Sequence, residues 1–562
     1  MKLTDYVAEF LAKEGIKYVF GLTGGAVVHF FDSLAKNPDI APVFTHHEQA
    51  AALAAQSYAR IKNDLGACIV TTGPGGTNAL TGVLSAWMDS IPCLFLSGQS
   101  RLKHTSHGKK IRQLGSQEFD IVSLVSRITK YAVMVDDPGK IRYVLEKAVF
   151  IAKDGRPGPV WVDIPLDFQW ENIESNSLRG YQPGSVGETE SFNEVIDKKI
   201  QSCIQLLYMA RKPIMLGGYG IRLAHAEEEF KKFLEISNLP CVFSWNASDL
   251  LPGNHRQNIG RIGLAGQPGA SQAFQNCDFV LAVGSHLCLN ITGLNNQYIS
   301  RHAKKVIVDI DPVEIDFKKN EVDLAINCDA KVFLQKILKA FKKNKTKNIK
   351  PWIKQCREYK SCNAIPADWK KQKSYVNPYV FLDILSNALD NKDTIVVDGG
   401  GTALYMPFQT IKIKQGQRLI VSSGIAAMGT GLPDSIGACL AAGGGRTVCI
   451  IGDGSMQLNI QELQTIIHHK LPVKIFVFNN AGYLAIRHTQ NSFLKSHYIG
   501  SSAAGGMSLP NYQKVAQAYG VRTVKINNHQ ELLQKIRQVL KGADPVVCEI
   551  MISPDQQMWL ER

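Results

Sequence analysis

Long apolar runs are missing from this sequence, and its opening residues do not predict a signal peptide. No part of its 562 residues approaches the roughly 18 consecutive apolar residues that a membrane-spanning helix needs. The opening residues, MKLTDYVAEFLAKEGIKYVFGL, do not place a basic segment before an apolar one, as signal peptides do. The sequence therefore predicts a cytoplasmic protein with no membrane partner.

Cysteine pairs spaced for metal binding are also missing. The 12 cysteines are scattered along the chain and form no C-x-x-C motif. This pattern favours buried, reduced thiols over disulfides or a zinc site. The cysteines that lie inside apolar runs, and are therefore expected to be buried, are Cys68, Cys93, Cys241, Cys439, Cys449 and Cys548.

The positive charge of the chain is not organised as a nucleic-acid-binding surface. The formal net charge is +14, but the lysines are dispersed and no basic motif is interleaved with aromatic residues. The densest basic run, FKKNKTKNIK at 341–350, is typical of a linker or a solvated helix end. We expect no nucleic-acid partner, although anionic small molecules would be attracted to such a surface.

Short β-branched runs alternate with helical patterns along the whole chain. This alternation predicts an α/β fold of parallel sheets covered by helices. Many of the runs end in Gly, Asp or Ser, where α/β proteins open into ligand-binding loops. The predicted strands are KYVFGL, ACIVTT, PCLFLS, PVWVDIP, KPIMLGG, FVLAVGS, KVIVDID, TIVVDGG, TVCIIGD, VKIFVFNN and PVVCEIMIS.

Two polar segments, 171–193 and 342–375, interrupt this pattern. Segments rich in Gly, Ser and charged residues are typical of linkers. They predict three consecutive parallel-sheet α/β domains, at 1–175, 190–340 and 370–562.

One stretch in the last domain places an acidic turn and an asparagine pair at its two ends. It reads GDG at 452–454, then 24 residues, then Asn479 and Asn480. We expect a strand, a helix over NIQELQTIIHHK and a second strand. The carboxyl ends of the two parallel strands share one sheet edge, so Asp453 and Asn480 should lie side by side. The residues expected on the buried side of the helix are Leu458, Leu463, Ile466 and Ile467.

The chemistry of these two ends suits a metal and a phosphate. One carboxylate and one amide oxygen fit Mg²⁺, and Gly452 and Gly454 let the backbone approach an anion closely. The alternative is a structural Asp-Gly turn with a strand-ending asparagine. The fixed spacing between the two ends favours the metal–diphosphate interpretation.

The GDG–NN spacing resembles the signature of the thiamine diphosphate enzymes. The resemblance implies thiamine diphosphate and Mg²⁺ as cofactors. It implies that Asp453, Asn480 and the backbone carbonyl of Gly482 hold the metal, and that Ser455 contacts the diphosphate. The loop DGGGTALYM at 398–406 is similar to a second diphosphate loop, which adds Gly401, Thr402 and Ala403 as candidates.

Two further segments are similar to parts of that family's active site. FTHHEQAAALAAQSYAR at 44–60 resembles the segment that carries the catalytic glutamate, which makes Glu48 the match. SSGIAAMGTGLPDSIGACLA at 422–441 resembles the segment that bends the cofactor, with Met428 beneath it and the carbonyl of Ala426 bound to its amino group. The alternatives are a helix-dipole glutamate and a core methionine.

The N-terminal domain resembles the acetolactate synthase-like group of the family. GLTGGAVVHFFDSL at 21–34 implies that Gly25 and Ala26 line the reaction centre, and SQEFD supplies the matching Gln117. The implied reaction is decarboxylation of a small 2-oxo acid such as pyruvate, with transfer of the acyl unit to a second carbonyl compound. In the family Glu48 and Asp453 face each other across subunits, so a homodimer is the minimum and a homotetramer is common.

Several positions depart from that group. A tryptophan that shapes the second-substrate pocket in biosynthetic members corresponds here to Thr489, and a Gln-His pair corresponds to Thr402-Ala403. These changes favour a different acceptor, for example a keto-sugar. The central domain resembles FAD-binding domains, but His286 and Asn290 occupy positions of arginines that clamp the flavin. Both a bound FAD and a flavin-free domain therefore stay open.

Two other functions compete with the carboligase. A 2-oxo-acid decarboxylase that releases aldehyde often carries a His-His pair, whereas this chain has His104 and His107 separated by two residues. A catalytically silent scaffold would not need Glu48, Met428 and Asp453 together.

Overall fold

The computed structural model describes residues 1–184, 190–294, 297–342 and 347–559. These residues form three six-stranded sheets in which every strand pairing is parallel, each in its own stretch of the chain. The prediction of three consecutive parallel-sheet α/β domains is confirmed. Parts of the two predicted linkers, 185–189 and 343–346, lie outside the described residues.

The N-terminal sheet has the strand order β2-β1-β3-β4-β6-β5. Its strands are β1 (Tyr18–Gly21), β2 (Ala41–Phe44), β3 (Gly66–Val70), β4 (Cys93–Gln99), β5 (Tyr131–Met134) and β6 (Pro159–Pro165). The helices of this domain are α1 (Leu3–Lys13), α2 (Val28–Lys36), α3 (Glu48–Lys62), α4 (Pro74–Asn78), α5 (Leu80–Met88), α6 (Ile121–Val125), α7 (Ile141–Lys153) and α8 (Leu166–Gln169).

The central sheet has the order β12-β11-β10-β7-β8-β9. Its strands are β7 (Pro213–Gly217), β8 (Cys241–Phe243), β9 (Asn258–Arg261), β10 (Phe279–Val283), β11 (Lys304–Asp309) and β12 (Leu324–Asn327). The helices between the N-terminal and C-terminal domains are α9 (Glu190–Met209), α10 (Gly220–Leu223), α11 (Glu227–Ser237), α12 (Pro268–Asn276), α13 (Leu289–Thr292), α14 (Pro312–Lys318), α15 (Ala330–Ala340), α16 (Lys350–Ser361) and α17 (Ala367–Lys370).

The C-terminal sheet has the order β14-β13-β15-β16-β18-β17. Its strands are β13 (Thr394–Val397), β14 (Arg418–Ile420), β15 (Thr447–Gly452), β16 (Val473–Asn479), β17 (Arg522–Ile526) and β18 (Val546–Met551). Its helices are α18 (Pro378–Ala388), α19 (Thr402–Thr410), α20 (Gly431–Ala441), α21 (Asp453–Met456), α22 (Glu462–His468), α23 (Leu484–Phe493), α24 (Tyr512–Ala518) and α25 (Leu532–Leu540).

The helix expected near NIQELQTIIHHK (459–470) is present as the shorter α22. The short helix α21 and a 3₁₀ turn over Gln457–Asn459 precede it, so the helical run breaks before α22. A single 3.6-residue period does not run through this break, so the predicted burial of Leu458 is wrong and its side chain is 48% exposed. Leu463 and Ile466 are buried as predicted, and Ile467 is half-buried.

The cysteines lie mostly in the interior, as predicted for those in the apolar runs. Ten of the twelve are buried, including all six from the apolar runs, while Cys288 is half-buried and Cys362 is exposed. Across the described ranges, no helix combines the length and the apolar character of a membrane span.

The first and last sheets share one hydrophobic core. Helices α3 and α20 pack together between them, and the core cluster around these helices draws apolar side chains from both domains. The contact is close because Gly437 lies against the backbone of α3, where an added Cβ would be 2.0 Å from the carbonyl oxygen of Ala54. Gln56 on α3 donates to the buried carboxylate of Asp434 on α20 at 2.6 Å.

We expect the substitution Gly437→Ala to destabilise the protein by about 1–3 kcal/mol, because the added methyl group must push two packed helices apart. Thermal unfolding should show the melting temperature fall. The matched control is Gly445→Ala, because a Cβ there is 3.6 Å from its nearest neighbour. Equal melting temperatures for the two variants would contradict this description of the interface.

Candidate active site

In each sheet, the chain adds strands first on one side and then on the other. A crevice opens between the two strands where this direction reverses. In the C-terminal sheet this point lies between β13 and β15, and in the N-terminal sheet it lies between β1 and β3. Ligands of open α/β sheets bind at such points, outside the carboxyl ends of the strands. The site residues predicted from the sequence follow these strands or their neighbours.

The structure brings the two ends of the GDG–NN stretch together. Asp453 follows β15 and Asn480 follows the neighbouring strand β16. The Oδ2 atom of Asp453 accepts the backbone N–H of Asn480 at 3.0 Å and that of Gly482 at 3.1 Å. Its Oδ1 atom accepts the N–H of Gly454 at 2.8 Å. The backbone therefore fixes the position of the carboxylate.

The electrostatic surroundings of Asp453 suit a cation. The residue is 1% exposed and makes no ion pair with any described residue. Burial raises the pKa of its carboxyl to about 6, although three backbone N–H bonds act in the opposite direction. A buried carboxylate normally requires a cationic partner or a metal, and Mg²⁺ binds through one or two such oxygens. The residues present at this edge therefore fit a magnesium ion.

A second charged side chain reaches the same edge. Arg487 donates to the side-chain oxygen of Asn480 at 3.2 Å and to its backbone carbonyl at 2.8 Å. The guanidinium is 5% exposed, and burial lowers its pKa. Arg487 therefore fixes the loop that follows β16.

The loop after β13 lies directly opposite Asp453. An added Cβ on Gly400 would be 2.3 Å from Cγ of Met428 and 3.1 Å from Oγ of Ser455. The buried Asp398 anchors this loop by accepting the N–H of Gly400 at 3.1 Å, and burial raises the pKa of that carboxyl to about 6. Because Met428 is 40% exposed, it does not serve as core filler in this chain.

The remaining cofactor candidates surround the same loop. Gly401 adopts a φ of +58° and precedes α19, where Thr402 and Ala403 are buried. The first N–H groups of a helix have no partner within the helix and can bind an anion. Ala426 has a φ of +51° and is exposed beside Met428.

Glu48 lies in the N-terminal domain at the start of α3. Its side chain is 7% exposed, and its Oε2 atom accepts the amide N–H of Asn78 at 2.9 Å. The N-cap of the helix is provided by His47, whose Nδ1 accepts the N–H of Gln49 at 3.1 Å. Helix capping therefore does not require Glu48.

The other N-terminal candidates gather around the loop after β3. The N–H of Ala26 faces Oγ1 of Thr71 at 3.4 Å, and the hydroxyl of Thr72 faces the carbonyl of Gln117 at 3.4 Å. Ala26 is buried, whereas Gly25 and Gln117 are exposed. These residues and Glu48 thus line one end of the N-terminal sheet.

Within a single chain, the candidates around Glu48 and those around Asp453 form two separate sets. In the part of the chain that the structure describes, no hydrogen bond or ion pair links Glu48 to the Asp453 edge. The segments that carry Glu48 and Asp453 are joined through other residues: the N–H of His46 donates to the carboxylate of Glu462 at 3.0 Å. That the two sets meet across a subunit interface stays a prediction.

Comparison with known proteins identifies the family. Three family models match, described as thiamine pyrophosphate enzyme N-terminal TPP binding domain (1–124), central domain (200–337) and C-terminal TPP binding domain (399–550). The chain belongs to the thiamine pyrophosphate enzyme family. The predicted family and its thiamine diphosphate cofactor are thereby confirmed.

Relatives of this thiamine pyrophosphate enzyme span nearly all of it. The acetolactate synthase isozyme 3 large subunit of Escherichia coli is 32% identical over 96% of this chain and 92% of its own length. A probable acetolactate synthase large subunit of Methanocaldococcus jannaschii is 30% identical, with 99% and 93% covered. The acetolactate synthase large subunit of Lactococcus lactis is 28% identical, with the same coverage. The predicted likeness to the acetolactate synthase-like group is confirmed.

Sequence reasoning missed several residues that support the site of this thiamine pyrophosphate enzyme. Asn78 and Arg487 contact the predicted residues Glu48 and Asn480, and Glu462 accepts from His46, close to Glu48 in the chain. Burial raises the pKa of the Glu462 carboxyl to about 7. Glu462 is the only acidic residue between Asp453 and Asn480, which was the available signal for that position. Arg487 gave no comparable signal, because only the fold brings it to Asn480.

Proposed function

We propose that this enzyme decarboxylates a small 2-oxo acid, with pyruvate as the expected donor, and transfers the acyl unit to a second carbonyl compound. The observation that carries the proposal is the buried carboxylate of Asp453 beside Asn480, which forms no ion pair with a described residue, together with the exposed Met428 next to the Gly400 loop. The likeness to proteins named acetolactate synthase large subunit adds independent support.

Thiamine diphosphate, when bound, supplies the carbon nucleophile that attacks the 2-oxo acid and accepts the charge left by departing CO₂. Asp453, Asn480 and the carbonyl of Gly482 would hold Mg²⁺. The backbone around Gly452 and Gly454 would approach the diphosphate. The residues that would hydrogen-bond its oxygens are Gly401, Thr402, Ala403 and Ser455.

The ring end of the cofactor would be held by other residues. Glu48 would share a proton with a ring nitrogen, a role that suits a carboxyl with little water around it. The carbonyl of Ala426 would accept from the ring amino group, and Met428 would support the cofactor from below. Gly25, Ala26 and Gln117 would line the substrate space.

The acceptor is proposed to differ from that of biosynthetic relatives. Thr489 lies exposed on α23, and its hydroxyl donates to the carbonyl of Ala485 at 3.2 Å. A threonine leaves more room there than the tryptophan of the biosynthetic pattern, so a larger ketone or aldehyde would fit.

The assembly is proposed to be at least a homodimer, with a homotetramer as the expected form. Glu48 and Asp453 lie in separate clusters of one chain, so a site that needs both would be completed by a second copy. The three domains are proposed to extend over 1–175, 190–340 and 370–562, and each contains one sheet.

The activity is tested by product analysis. Purified enzyme with thiamine diphosphate, Mg²⁺ and pyruvate should form acetolactate or acetoin, or a new C–C bond with a ketone or aldehyde from an acceptor panel. Glu48→Gln should lower kcat at least about 100-fold, because a positioned proton-transfer group contributes that much. The exposed Glu9→Gln is the matched control. Acetaldehyde as the sole product would contradict carboligation, and unchanged turnover in Glu48→Gln would contradict the assigned role.

We also propose FAD as a ligand of the central domain. A cavity of about 770 Å³ lies at the carboxyl ends of β7, β10 and β11, where the central sheet reverses its strand order. Buried polar atoms without a partner line this cavity, namely the Tyr219 hydroxyl, Trp245 Nε1 and Asn246 Oδ1. Such orphaned atoms fit a polar ligand.

The charged residues of this cavity differ from those of a flavin site in which arginines clamp the nucleotide. His286 and Asn290 stand at the two arginine positions, and His286 Nδ1 lies 3.6 Å from Glu314. The lining cation Arg156 is already paired with Asp311 and Glu314. FAD would therefore be held here without a free arginine.

His286→Arg should tighten FAD binding about tenfold, because one charge-assisted hydrogen bond contributes about 1.5–3 kcal/mol. Flavin fluorescence titration measures the affinity, and the visible spectrum of the purified protein reports flavin already bound. His286→Gln is the uncharged control and should not tighten binding. Absence of FAD binding to both the wild type and His286→Arg would contradict this proposal.

A further inference from the structure

A second large cavity lies between the central and C-terminal domains. Its volume is about 840 Å³. One wall comes from the edge strand β9 and the loop before it, and the other comes from α18 and the segment that follows α19. Helix α16 and the residues after it close a third side. None of its lining residues belongs to the proposed thiamine diphosphate or FAD sites.

The lining of this cavity is strongly cationic. Its charged members are five cations, Arg261, Lys360, Lys370, Lys412 and Lys414, and one carboxylate, Asp383. Lys412 pairs with Asp383. The other four cations form no ion pair with a described residue. A concave surface with charges of one sign concentrates the field and attracts an oppositely charged ligand.

Arg261 is the most deeply buried of these cations. It is 6% exposed, and its Nε and Nη2 atoms donate to the backbone carbonyls of Phe408 and Ile411. Its Nη1 atom has no hydrogen-bond partner among the described residues. Burial lowers the pKa of the guanidinium to about 10. The charge is held in place by carbonyl groups and is not neutralised by a carboxylate.

Lys360 and Thr410 complete the binding groups. Lys360 donates to the backbone carbonyls of Gly253 at 2.8 Å, His255 at 3.5 Å and Asn258 at 2.5 Å, and no described carboxylate pairs with it. Burial lowers the pKa of its ammonium group to about 8, so it stays largely charged at pH 7. Thr410 ends α19, is 7% exposed and has a hydroxyl without a partner. A buried cation or hydroxyl without a counterpart is costly, and an anion in the cavity would remove that cost.

We propose that this cavity binds a small polyanion, a molecule with at least two phosphate or carboxylate groups. Guanidinium and ammonium groups bind phosphates and carboxylates alike, and four lining cations without an ion pair to a described residue exceed what a single negative charge would require. Lys412 is already paired with Asp383, so the ligand would be bound by Arg261, Lys360 and Lys414. Lys414 donates to the carbonyl of Asn387 at 3.1 Å and has no described carboxylate as a partner.

Equilibrium dialysis tests the site on the holoenzyme. Saturating thiamine diphosphate and Mg²⁺ fill the cofactor site, and radiolabelled pyrophosphate and citrate serve as separate probes. We expect one saturable site per chain for at least one probe, weaker at high salt. The probe that binds more tightly distinguishes phosphate from carboxylate ligands. The readout does not require turnover, so it is independent of whether the proposed reaction is correct.

Substitutions of lining residues test whether the probes bind in this cavity. Lys414→Met and Lys360→Met should each raise Kd at least fivefold, and Thr410→Val should raise it about threefold while the fold is kept, because the lost hydroxyl has no partner. The exposed Lys541→Met is the charge-matched control and should leave Kd unchanged. The proposal is overturned by no saturable binding of either probe, or by equal affinity in the wild type, Lys414→Met and Thr410→Val.

Discussion

The reversal of strand order inside each parallel sheet is the constraint on which the sites depend. A sheet that grows first to one side and then to the other leaves a crevice where the two central loops diverge. Here the loops after β13 and β15 diverge, as do those after β1 and β3, and those after β7 and β10. The chain places glycines in these loops, and several could not be replaced without a clash. A Cβ on Gly24 would be 2.6 Å from Thr71, and one on Gly218 would be 2.0 Å from the carbonyl oxygen of Gly284.

At the C-terminal crevice, this arrangement places a buried carboxylate, which is costly without a partner, where it can bind a cation. Three backbone N–H groups hold the Asp453 carboxylate, and no described cation forms an ion pair with it, although the charge of Arg487 favours its ionised form. The loop of Gly400 and the exposed Met428 lie on the other side of the same crevice. These residues would therefore fit a metal, a diphosphate and an apolar support in one place, as the proposed binding of the cofactor requires. The N-terminal crevice holds Glu48 through Asn78 and leaves its other oxygen available.

The sequence allowed the two cofactor motifs and every inner strand except the three-residue β8 to be predicted, and the failures have several causes. All eleven predicted strands exist, and the strands that were missed include both edges of every sheet, among them β2, β5, β14 and β17. Edge strands are short and partly exposed, so they lack the continuous apolar run that marks a strand buried on both faces. The predicted burial of Leu458 is wrong because the helical period was extended through a 3₁₀ turn. Arg487 could not be found, because only the fold turns its side chain back onto Asn480. Glu462 is visible as an isolated acid, but its contact with His46 comes from a distant segment of the chain.

Magnesium-dependent binding of thiamine diphosphate to Asp453→Asn tests the central claim most directly. Calorimetric titration with and without Mg²⁺ should show tight, metal-dependent binding to the wild type and to the exposed control Asp390→Asn. The account predicts that Asp453→Asn loses the metal dependence and binds at least about 100-fold more weakly, because a buried charged partner contributes roughly 3–5 kcal/mol. Unchanged, metal-dependent affinity in Asp453→Asn would contradict it.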